Sequence, residues 1–162
     1  MTDHTIRTTT NAMATIASPT FPGTTSIAHG RVNEVRDGLV VFAPHGTNYE
    51  LHLVAAGYAG PVKSLTNGVV RVTARKVWTV PSGGNFIAPI FGPPRTIQGR
   101  VRALDQRTLV VQAGTPVVVD LPEEPALLDL AEGPIRVGSL VNVTALPGAR
   151  FEHAAPATST RP

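Results

Sequence analysis

The chain has no cysteine, which excludes disulfides and thiolate metal sites. Charge is also scarce, at 15% of 162 residues, low for a soluble globule. No apolar run approaches the roughly 20 residues that a membrane helix needs, because Gly, Pro or a charge interrupts every one. A membrane is therefore not expected among the partners. The first residues carry Asp3 and His4 and no apolar segment, so no secretory signal is expected there and the cytoplasm is the default compartment.

Catalytic patterns are missing as well. Ser64, Ser82 and Ser139 lie outside any G-x-S-x-G context. Ser82-Gly83-Gly84 lacks the following Lys and helix of a phosphate loop. Glu123 and Glu124 are adjacent in a Pro-flanked turn, whereas acid–base work needs opposed groups with separated pKa values. His45, Glu50 and His52 offer zinc-compatible donors, but beyond them the expected folded part holds only His29 and, at its last residue, His153. These observations predict neither an enzyme, nor a metal site, nor a cofactor.

What is present is valine, glycine, proline and an uneven charge. From Gly30 to Arg107 ten basic residues face four acids, and from Thr108 to Glu152 two basic residues face six. Such a dipolar chain suits a polyanion at one end or head-to-tail pairing with neighbours.

Residues 1–25 and 154–162 are rich in Thr, Ala and Ser without periodicity and are expected to be disordered tails. Between them the pattern is β throughout. Asp37-Gly38 between Val-rich runs predicts a hairpin. Tyr49 to Leu53 alternates apolar and polar. Val69 to Val80 reads as one long strand with its even-numbered positions inward, Arg71 and Arg75 outward, and Lys76 near a rim or bulge.

The pattern then recurs. Gly30-Arg31-Val32 matches Gly99-Arg100-Val101, and Leu39-Val40-Val41 matches Leu109-Val110-Val111. Gly46-Thr47 with Leu53 matches Gly114-Thr115 with Leu121. Val70-x-Val72-Thr73-Ala74 matches Val141-x-Val143-Thr144-Ala145, and Gly60-Pro61 resembles Gly133-Pro134. Matches in one order with nearly constant offsets predict an internal duplication. Copies this small would leave open sheet edges, so each is expected to close into a barrel.

This succession of a Gly-x-Val strand, a Leu-Val-Val strand, a Gly-led strand and a terminal V-x-V-T-A strand resembles OB-type small barrels. It is also similar to the duplicated small barrels that bind molybdate-like oxyanions. The resemblance implies an all-β protein of two tandem OB-like barrels, residues 26–80 and 96–153, and adds oxyanion or small-ligand binding between barrels to the possible roles.

The segment 81–95, PSGGNFIAPIFGPPR, joins the halves. Phe86, Ile87, Ile90 and Phe91 make it too apolar for a free spacer. It is expected to pack across both barrels, or else to serve as an exposed strap for self-association. A second constellation is Arg31, Arg71, Arg75, Lys76 and Trp78, basic residues interleaved with an aromatic, as single-strand nucleic-acid binders use. The leading expectation is a non-catalytic binding or assembly module, with a homo-oligomer or protein partner. Single-stranded nucleic acid is the alternative partner.

Overall fold

Asp37 and Gly38 both take positive φ, at 51° and 78°, and make the tight turn that their composition favours. They join β1 (Ala28–Arg36) to β2 (Leu39–Pro44), and β3 (Glu50–Val54) continues the antiparallel meander. The computed structural model describes residues 25–123, 128–129 and 134–154. The two expected tails fall outside these apart from Thr25 and Ala154, as do Glu124 and Gly133.

The described chain is all-β, with no helix. The 15-residue β4 (Leu65–Thr79) is its axis. After it come β5 (Phe86–Ala88), β6 (Phe91–Gly92), β7 (Thr96–Asp105), β8 (Thr108–Gln112) and β9 (Pro116–Asp120). The short β10 (Leu128–Asp129), then β11 (Leu140–Ala145) and β12 (Arg150–His153), complete the set.

The pairings form a mixed sheet that closes on itself twice. One ring runs β1-β2-β3-β12-β4 and returns to β1. The other runs β4-β11-β7-β8-β9 and returns to β4. Both rings use β4, the first mainly through its N-terminal half and the second from Val70 onward.

Each ring is closed by a strand from the other half of the chain. β12, near the C-terminal end of the described chain, pairs with β3 and β4 of the first ring. The C-terminal half of β4 pairs with β11 and so closes the second. Hydrogen bonding therefore does not divide at residues 81–95, where the sequence places the boundary between halves.

Local features repeat between the rings. β1 has an irregularity between Val32 and Glu34, and β7 has one between Val101 and Ala103. The N–H of Lys63 donates to Val32 O, as that of Gly138 donates to Val101 O. Thr66 stands opposite Gly30 as Val141 stands opposite Gly99. The ladder thus aligns Val141 with Thr66, where sequence matching aligns it with Val70. At Gly30 and Gly99 the facing strand comes too close for a side chain, because an added Cβ would strike Ala43 O and Gln112 O respectively. Absence of a Cβ, rather than a special φ, is what these positions require.

One buried cluster runs through both rings, from Phe42, Leu51 and Leu53 to Ile97, Val111 and Val143. β4 changes face within it. Thr66, Gly68, Val70, Val72 and Ala74 are buried, then the pattern shifts to Val77 and Thr79. The register against β11 skips Arg75, since Lys76 faces Thr144 and Ala74 faces Ala145. One inserted residue reverses which face every later side chain takes. The irregularity expected near Lys76 is therefore present. Its consequence corrects the inward assignment of Trp78, which is half-buried while Val77 is fully buried.

Candidate functional site

Arg71 was expected on an outer face, free to meet phosphate. That placement is corrected: its side chain is 5% exposed. It lies on β4 where that strand meets β12 on one side and β9 on the other, opposite Arg150 and Val118. Its Nε donates to Asp120 Oδ2 at 3.0 Å and its Nη2 to Asp120 Oδ1 at 3.1 Å. Nη1 lies 3.8 Å from Glu152 Oε1. A guanidinium is planar and forked, so it grips a carboxylate with two parallel bonds. Thr108 donates a further hydrogen bond to Asp120 Oδ1 at 3.2 Å, and Arg150 Nε donates to Glu152 Oε2 at 3.1 Å. The cluster neutralises its own charge and ties β9 and β12 to the shared strand.

The other basic and aromatic candidates do not converge on Arg71. Arg75 and Lys76 are exposed, and Lys76 Nζ stands 5.6 Å from the Trp78 ring centroid. Arg31 is exposed in the first ring, opposite Leu65. Trp78 lies thirteen residue steps along β4 from Leu65, roughly 40 Å of strand. Arg75, Lys76 and Trp78 thus form one patch, while Arg31 stands apart from it.

Beside Arg75 lies a cleft of about 530 Å³. Arg75, Arg107, Thr73, Thr108, Asp120 and Glu123 supply its polar groups. Leu121, Pro122 and Leu146 supply apolar wall. Sequence reading passed over Arg107, Thr108 and Asp120 as site residues. The signal it had was an aspartate ending one Val-rich strand and an arginine inside another, and 49 residues separate them.

The strap 81–95 is paired to both rings. Phe86, Ile87 and Ala88 face Gln98, Ile97 and Thr96 of β7, while Phe91 and Gly92 run beside Glu50 and Leu51 of β3. The backbone N–H of Ile87 donates to the Tyr49 hydroxyl at 3.1 Å, and that of Glu50 donates to Ile90 O at 2.8 Å. Ile87 is buried and anchors the segment. Ile90 and Phe91 point outward, 57% and 62% exposed.

Phe91 adjoins a second cleft of about 360 Å³ on the outside of the first ring, with Leu39, Val41 and His52. The His52 ring packs edge-on against Phe91 at 4.8 Å, and its buried Nε2 has no hydrogen-bond partner. Glu34, Asp37 and Glu50 rim this cleft against a single cation, Arg36, which pairs with Glu34.

Among the described residues no three His, Asp or Glu side chains gather as a metal site, so His29, His45, Glu50 and His52 do not form one. No helix there is long and apolar enough to cross a membrane. Comparison with protein-family models, curated proteins and solved structures returns no match.

Proposed function

We propose that this chain is a non-catalytic assembly module that docks, through the outward face of its strap, onto a second copy of itself. The observation that carries the reading is the exposure of Ile90 and Phe91 on a segment pinned to both rings. Leu39 and Val54, also exposed and opposite one another on β2 and β3, extend apolar surface onto the same ring. Contiguous exposed apolar surface on a rigid support is the usual mark of an interaction site.

Charge favours a second copy as occupant. The cleft beside Phe91 has an acidic rim, whereas the chain as a whole carries +3 and displays Arg75 and Lys76 elsewhere. Two like acidic rims repel across an isologous contact. The pairing is therefore heterologous, placing the acidic rim of one copy against a basic surface of the next.

The architecture supports an internally duplicated pair of OB-like barrels. Each ring has five strands, the number typical of an OB barrel, and the irregularities, turn hydrogen bonds and close-approach glycines recur between rings.

Light scattering over a concentration series tests the assembly. The native chain is expected to gain mass with concentration, and the double variant Ile90→Ser, Phe91→Ser to remain monomeric with unchanged melting. A native chain that stays monomeric at about 100 μM, well above the Kd of a specific interface, overturns the reading.

A second reading keeps single-stranded nucleic acid, on Arg75, Lys76 and Trp78 alone. The cation–aromatic pair favours it. Salt-sensitive binding of a labelled oligonucleotide that Lys76→Ala weakens supports that reading, and absence of binding at low salt removes it.

A further inference from the structure

We propose that the cleft beside the irregularity in β4 binds a small organic anion, a carboxylate carried on an apolar body. This site is separate from the strap and stands whether or not the chain self-associates.

Three observations converge there. The first is position. On one edge of β4 the β9 pairings end at Thr73 and the β10 pairings begin at Val77. No described strand pairs with Ala74, Arg75 and Lys76 on that edge, and the cleft opens beside Thr73, Ala74 and Arg75. Arg75 is the residue that the register against β11 skips, and such irregularities are over-represented next to binding sites.

The second is charge. Asp120 borders the cleft, but its carboxylate already receives two hydrogen bonds from Arg71 and one from Thr108. Arg107 spends one N–H on Pro122 O at 2.6 Å and keeps its remaining donors. Arg75 is exposed, and no ion pair or hydrogen bond joins it to another side chain among the described residues. With Asp120 neutralised from behind, two guanidinium groups face Glu123 as the one uncompensated acid among the described residues of the lining. Guanidinium forks match a carboxylate, and Thr73 lines the same cleft.

The third is the wall. Ala74, Leu121, Pro122 and Leu146 supply apolar surface beside the charged end. A cleft of about 530 Å³ falls in the range of small-molecule sites, which combine an apolar lining with a few convergent polar groups. An apolar body attached to one carboxylate uses both features, whereas a bare inorganic anion uses only one.

The test is calorimetric titration of the full chain with naphthoate, naphthamide and inorganic phosphate. Naphthoate is expected to bind saturably, and naphthamide at least about tenfold more weakly, the worth of a charged hydrogen bond. Arg75→Ala and Arg107→Ala are each expected to weaken naphthoate about tenfold or more while leaving the melting curve in place, since both side chains are exposed. No saturable naphthoate binding into the millimolar range overturns the proposal. So does equal affinity for naphthamide, or naphthoate binding that survives both substitutions. Phosphate binding as tightly as naphthoate contradicts the role given to the apolar wall.

Discussion

A chain ended after Gly148 is expected not to fold, although nearly all of both sequence repeats remains. The missing β12 supplies four residues of ladder to β4 and the contact with β3 that closes the first ring. Without it β3 and β4 keep unpaired edges, and backbone groups in a sheet do not tolerate burial without partners. Phe151 is lost too. It is 4% exposed, with its ring 4.7 Å from that of Phe42 and 6.1 Å from that of Tyr58. Phe151→Ala isolates this packing from the ladder. It is expected to cost about 3–5 kcal/mol by loss of burial plus the cavity left behind. In a domain of this size that lowers the melting temperature by roughly 10 °C or more. Thermal melts of the two variants check both expectations, and a native-like melt of the chain ended after Gly148 contradicts the closure described.

Arg71→Ala comes next in magnitude. A basic residue among valines suggests a solvated surface, and its removal would then be harmless to folding. In this fold the guanidinium is buried against Asp120 and Glu152. Truncating one member of a buried pair leaves the others desolvated without a partner, at a cost of about 3–5 kcal/mol. The lower end applies, because Asp120 is 30% exposed and water recovers part of the loss. Arg75→Ala, four residues further along β4 and exposed, is expected to shift stability by less than about 0.5 kcal/mol. Urea unfolding of the two variants separates these outcomes. Equal stability would place Arg71 at the surface after all.

The physical reasons why some features were legible and others not are plain in the same residues. Hairpin turns and strands are written locally. Asp37-Gly38 sets its own turn, and the alternation of Leu51 and Leu53 with His52 sets its own faces. The close-approach glycines at 30 and 99 appeared as a repeated Gly-Arg-Val. Closure of each ring by the other half was not legible, because Phe151 and Val70 meet only through the complete topology. A Val-x-Val pattern fits any strand pair and carries no address. The inversion of faces after Arg75 depends on a single unpaired residue in β4: a lysine on the inward positions signalled an irregularity at Lys76, but alternation alone left Trp78 rather than Val77 inward. Arg71 was misplaced for a related reason. Nothing near it in sequence offers a carboxylate, and both partners arrive from strands closed around it later in the chain.

The strap illustrates the intermediate case. Its apolar content announced packing, and the pairing of β5 with β7 and of β6 with β3 supplies it. Which side chains turn outward was undetermined by the sequence, since Phe86, Ile87, Ile90 and Phe91 are equally apolar. Ile87 faces Ile97 and is buried, whereas Ile90 and Phe91 are exposed.

The central structural claim is that β4 and the crossed closing strands make the two rings one cooperative unit. Native-state hydrogen exchange on the intact chain and on Phe151→Ala tests it most directly. If the claim holds, the slowest amides of β2 and β3 and those of β8 and β11 open with one shared free energy, and the substitution lowers both sets equally. Faster exchange in β2 and β3 alone, with β8 and β11 keeping their native protection, would show two rings that unfold independently and would contradict it.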